Sequence, residues 1–164
     1  MTTWKCDPIP EKQILLDLLE EAYSRKAWHG PNLKGSIRGV SAHLAQKRPA
    51  AGRHNIWEIV VHAAYWKYAV RRRLLKEKRG SFPLKESNWF CCPDVLTEDL
   101  WKNAAGLLNE QHTLLREAIR KMSRNELDST PVGSKISNLT LIYGIASHDL
   151  YHAGQIQLIK RLIR

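Results

Sequence analysis

His148 and His152 stand four residues apart in the stretch HDLYHAGQIQLIKRL. On an α-helix that spacing is close to one turn, so both imidazoles share a face. The face reads Leu141, Ile145, His148, His152, Gln155, Ile159, Leu162: apolar at its ends and polar in its middle. A buried polar patch is costly unless something satisfies it, and a metal ion does so for neutral imidazoles. Upstream, His62 interrupts a similar apolar stripe of Ile59, Trp66 and Ala69. His62, His148 and His152 are therefore candidate ligands of one metal. The competing reading is a set of core histidines bonded to neighbours such as Gln155.

Three imidazoles leave an open position on a tetrahedral metal, the pattern of catalytic rather than structural sites. Neutral ligands leave the ion its full charge. Bound water then reaches a pKa of roughly 7, and a bound thiol ionises outright. Such a centre serves either hydrolysis or thiol transfer. Zn²⁺ suits these ligands first, and Ni²⁺ also accepts imidazole. The HExxH arrangement of zinc proteases places a glutamate beside the first histidine; here that position is Asp149, so a protease reading fails.

Other residues are candidates for the pocket or for support of the ligands. Trp66, one turn after His62, either walls the pocket or packs in the core. Asp149 and Gln155 are candidates to orient imidazoles, although Asp149 lies about 100° around the helix from His148 and suits the surface equally well. His112, on the stripe Trp101, Ala105, Leu108, Leu115, Ile119, is a ligand, a supporting group or a core histidine. His29 and Asn32, in the segment WHGPN, are candidates to touch substrate, against a simpler role in ending a helix and fixing the loop.

Four long amphipathic helices must position these groups. The pattern predicts helices from Pro10 to Lys26, from Asn55 to Lys78, from a Thr97 cap to Met122, and from Ser137 or Asn138 to the C-terminus. A short extra helix is expected over Leu33–Gln46. The prolines and glycines of GSFPLKESNWFCCPD mark a loop, and SRNELDSTPVGSK a further connection. No strand is expected. An all-α four-helix bundle is the economical fold, as a single domain over residues 1–164. The first connection is too long for a tight hairpin and lets the first two long helices run parallel.

Composition narrows the function. With 43% hydrophobic and 26% charged residues, the chain has the balance of a soluble globular domain. No run is long and apolar enough to span a bilayer, and the N-terminus lacks the pattern of a secretory signal; a cytoplasmic protein is expected. Cys6, Cys91 and Cys92 form no CxxC and are read as reduced thiols. The net charge is +10, concentrated in RRRLLKEKR and the tail KRLIR. Both runs fall at predicted helix ends, where cations complement the helix dipole. No base-reading signature accompanies them, so a specific nucleic-acid partner is not expected.

The pieces KAWHGPNL (26–33), HNIWEIVVHAAYWK (54–67) and HDLYHAGQIQLIKR (148–161) resemble the DinB/YfiT-like superfamily, and the similarity covers nearly the whole chain. The resemblance implies an up-down-down-up bundle, commonly a homodimer. It implies a metal held by one histidine of the second long helix and an HxxxH pair of the last, which on this chain are His62, His148 and His152. It also implies kinship with metal-dependent enzymes that transfer a low-molecular-weight thiol (bacillithiol, mycothiol or glutathione) to a small-molecule substrate. The expected function is such a thiol-S-transferase. Its alternatives are a metal-dependent hydrolase and a non-catalytic metal-binding stress-response protein; a nucleic-acid-associated protein rests on charge alone.

Overall fold

Local sequence starts each long helix in the computed structural model, which describes residues 10–86 and 88–163. Cys6 lies outside the described residues. Helix α1 (Pro10–Tyr23) begins with a proline, whose missing N–H is no loss in a first turn. Asn55, Thr97 and Ser137 cap α4 (Ile56–Leu74), α5 (Glu98–Lys121) and α7 (Asn138–Leu162), each accepting a backbone N–H with its side chain. Asn55 and Glu58 form a full capping box.

The connections depart from the sequence expectation in four places. The single short helix expected over Leu33–Gln46 is two, α2 (Leu33–Ser36) and α3 (Ala42–Gln46). Gly39 takes a φ of +71° between them and Ser41 caps a new start, so the chain turns where an uninterrupted helix was expected. Helix α1 stops at Tyr23 rather than Lys26, because the Ser24 and Arg25 N–H groups both bond to the Glu20 carbonyl. Helix α4 stops at Leu74 rather than Lys78. There the Lys76 N–H bonds to the Arg73 carbonyl and the Glu77 N–H to the Arg72 carbonyl, at 3.2 and 2.9 Å, which is a Schellman ending with Lys76 at φ 58°. The connection after α5 carries a further helix, α6 (Arg124–Asp128), opened by a Ser123–Glu126 capping box.

The four long helices bury two apolar clusters. One joins the N-terminal halves of α4 and α5 to Tyr23 and to Ala153, Ile156 and Ile159 of α7. The other joins Leu15 and Leu19 of α1, Val70 and Leu74 of α4, Leu115 and Ile119 of α5, and Leu141 to Ala146 of α7. The middles of α4 and α7, where the clusters meet, carry His62, Lys67, His148, Asp149 and His152. No described helix is long and apolar enough to cross a membrane.

Candidate metal centre

His62 from α4 and His148 and His152 from α7 converge through their Nε2 atoms. His148 Nε2 lies 3.2 Å from His62 Nε2 and 3.0 Å from His152 Nε2. Tetrahedral ligands about 2.0–2.1 Å from zinc stand roughly 3.3 Å apart, so the spacing suits a shared cation. The opposite ring nitrogens fix the tautomers. His62 Nδ1 donates to the Asn88 carbonyl at 2.5 Å, and His152 Nδ1 donates to Gln155 Oε1 at 2.7 Å. Both Nε2 atoms therefore present bare lone pairs toward His148, whose own buried Nδ1 has no partner. A single proton on His148 cannot give two good hydrogen bonds in different directions, whereas a cation satisfies all three lone pairs at once. The residues fit a divalent metal.

Electrostatics favours the same state. Burial pushes His62 down to about 4 and His148 to about 3, helped by the neighbouring imidazoles; burial likewise lowers His152. All three are neutral at physiological pH, as ligands must be. No carboxylate or thiol belongs to the cluster among the described residues.

The loop before α5 supplies a wall that periodicity does not reveal. Asn88 sits at φ 70°, a left-handed conformation asparagine tolerates better than most residues. Its carbonyl meets His62, and its side chain accepts from Trp66 Nε1 at 2.8 Å. Trp89 stacks on His62 with 3.8 Å between ring centroids, and His54 stacks on the other face of Trp89 at 3.6 Å. His54 is itself held by Glu58, 2.9 Å from its Nδ1. The only sequence signal for this layer is the Asn-aromatic pair in a loop. Trp66 packs edge-on to both His62 and His148 at 6.3 Å and also against the second apolar cluster.

Two apolar grooves reach the histidines. One, of about 460 Å³, runs past Trp89, His54 and Tyr151 to His152 and Gln155. The other, of about 390 Å³, runs past Trp66, Tyr143 and Gly144 to His148.

The remaining candidates lie elsewhere. Asp149 is neither exposed nor a partner of the imidazoles: it is wholly buried and ion-paired to Lys67, itself wholly buried. Burial pushes the Asp149 carboxyl up to about 6 against the pull of Lys67, leaving it ionised at neutral pH. His112 is outside the three-histidine cluster. It stacks on Tyr23 at 3.8 Å, with Nδ1 3.5 Å from Lys67 Nζ and Nε2 3.2 Å from Glu20. Asn32 caps α2 and donates to the Arg25 carbonyl, so its polar atoms are committed to the loop. His29 is exposed and meets none of the three histidines. Cys91 is exposed; Cys92 is half-buried, and burial raises its thiol pKa.

Fold and site together define a helical-bundle protein with a three-histidine candidate metal centre. The chain belongs to the DinB superfamily, whose family model matches residues 27–156. That span contains all three histidines and the walls around them. No curated protein and no solved structure matched the chain.

Proposed function

We propose that the protein is a metal-dependent transferase that joins a low-molecular-weight thiol to an electrophilic small molecule. The observation that carries the reading is the convergence of three neutral imidazoles, with no carboxylate among them, reached by one groove at His152 and by another at His148. A divalent cation held by His62, His148 and His152, Zn²⁺ first and Ni²⁺ second by ligand type, supplies Lewis acidity and favours ionised thiol at neutral pH. The chain's own residues do the rest. Asn88 and Gln155 fix two ring orientations. Trp89 and Trp66 exclude water from one side of the cluster and present flat apolar surface to a substrate.

Among the described residues no carboxylate joins the cluster, which favours thiol transfer over hydrolysis, since attack by water profits from a general base that a thiolate does not need. The protein's own cysteines are dispensable in this reading. The homodimer and a cytoplasmic setting complete the proposal. Exposed Tyr143, Tyr151, Leu158 and Leu162 on α7 support the dimer, which sedimentation equilibrium at micromolar concentration would test.

The functional test is a turnover screen of metal-loaded and metal-stripped protein against electrophiles, with and without bacillithiol, mycothiol or glutathione. Turnover should require both metal and thiol and should vanish in His152→Ala. Thiol-independent turnover would replace the transferase by a hydrolase.

A further inference from the structure

A cavity of about 640 Å³ lies apart from the histidine site. It lies between the C-terminal end of α4 and the 131–135 loop. Arg72, Arg73, Lys76, Arg79 and Lys135 line it, against one acid, Glu77. Glu77 is engaged with Arg71, 3.2 Å away, which is not part of the lining. Among the described residues no carboxylate forms a direct ion pair with any of the five lining cations, and Glu126 answers Lys76 only at longer range. Such an excess of cations around one concavity favours the entry of an anion.

Two further observations argue against an idle helix end. Lys76 occupies the left-handed position of the Schellman ending at φ 58°, a place that glycine fills without cost. A lysine there spends backbone energy to keep a cation. Lys135 comes from the opposite wall, outside any helix, so the dipole of α4 does not account for it.

One residue, Arg73, is common to the cavity and to the groove toward the candidate metal centre. Its guanidinium lies 6.0 Å from the Trp66 ring centroid, and Trp66 in turn packs edge-on to His148. We propose that the basic cavity is an anion subsite: it takes the carboxylate or phosphate groups of a small-molecule cosubstrate whose reactive end reaches the histidine centre past Arg73, Trp66 and His148. Guanidinium forks suit planar anionic groups, and the volume is that of a small-molecule site. The link to the reactive end rests on the transferase reading; the anion site itself does not.

The test is an NMR titration of metal-loaded, ¹⁵N-labelled protein with succinate and, separately, with inorganic phosphate. Amide shifts should cluster in residues 72–80 and 132–135, and the stronger of the two ions identifies carboxylate or phosphate as the group recognised. Lys76→Gly should weaken that ion about threefold to fivefold, as loss of one partly exposed charge partner does, while raising the melting temperature. Lys135→Ala should weaken it similarly from the other wall. Shifts confined to the histidine residues, or binding indifferent to both variants, would overturn the subsite. So would a short DNA duplex that displaces the ion at physiological salt, which would make the surface a nucleic-acid site. In turnover, both variants should raise KM for glutathione several-fold and leave kcat and the KM for uncharged 2-mercaptoethanol unchanged. Variant-dependent succinate binding without any thiol turnover would retain the subsite and defeat the transferase. Thiol turnover with an unchanged glutathione KM would do the reverse.

Discussion

Two groups of polar side chains interrupt the apolar interior, and they resolve their burial in opposite ways. In one, Lys67, Asp149, His112, Glu20 and Tyr23 answer each other: cation to carboxylate, imidazole to carboxylate, ring to ring. In the other, His62, His148 and His152 turn like atoms toward one another, Nε2 to Nε2, and no acid among the described residues joins them. Both contain histidine, both are buried, and both sit where α4 faces α7 or α5. The difference teaches that burial and residue type do not separate a structural network from a candidate ligand set. What separates them is whether unlike groups meet, donor to acceptor, or like lone pairs face one another.

The structural network should give the largest stability effect when broken. Asp149→Ala leaves the Lys67 charge buried without its partner and should cost about 3–5 kcal/mol, read by urea denaturation. Replacing the pair together, Lys67→Met with Asp149→Leu, should recover most of that loss. A cost below about 1 kcal/mol for the single change would mean that water reaches Lys67 and that the network is not closed.

Acid should test both regions in the metal-free protein. His62 titrates at about 4, and His148 and His112 at about 3, because burial disfavours their charged forms. An unfolded imidazole titrates near 6.5. Between these values the unfolded chain binds more protons than the folded chain, so stability falls as pH drops from about 6.5 toward 4. The urea midpoint should be lower at pH 5 than at pH 7. His112→Leu should flatten only part of that dependence, since the three converging histidines retain the rest. Equal midpoints would show that the imidazoles are hydrated.

A smaller change sharpens the boundary of the candidate site. Gln155→Leu removes the acceptor that holds the His152 ring and should weaken metal affinity about tenfold, without loss of stoichiometry. No change in affinity in a chelator competition would detach Gln155 from the centre. Smallest of all, Cys91→Ser should shift stability by less than about 0.5 kcal/mol and leave metal content alone, since Cys91 is exposed and outside the cluster.

What the sequence discloses follows from the range of the forces involved. Asn55, Thr97 and Ser137 are legible as caps because a cap is a contact over three residues. The helical stripes disclose His62, His148 and His152 because their apolar flanks mark the buried face. Their convergence is a tertiary fact that the stripes alone leave open. Asp149 shows the limit most directly. Its angle from His148 is readable, yet α7 is covered on a wide face, and the lysine that answers it comes from α4. Asn88 and Trp89 stay hidden for another reason: a loop has no period, so nothing in the chain ties them to a histidine 26 residues upstream of Asn88. The break at Gly39 and the lysine at the end of α4 depend on single φ values that propensity does not fix.

The most direct test of the central claim is metal content under matched conditions, with one histidine changed in each of the two buried groups. Purified protein loaded with Zn²⁺ or Ni²⁺ and freed of excess should hold about one ion per chain. His148→Ala should hold none, while His112→Ala, buried but already answered by Glu20 and Lys67, should hold as much as the unmodified protein. Full retention in His148→Ala, or loss of the ion in both variants while each remains folded, would contradict the assignment of His62, His148 and His152 as the metal centre.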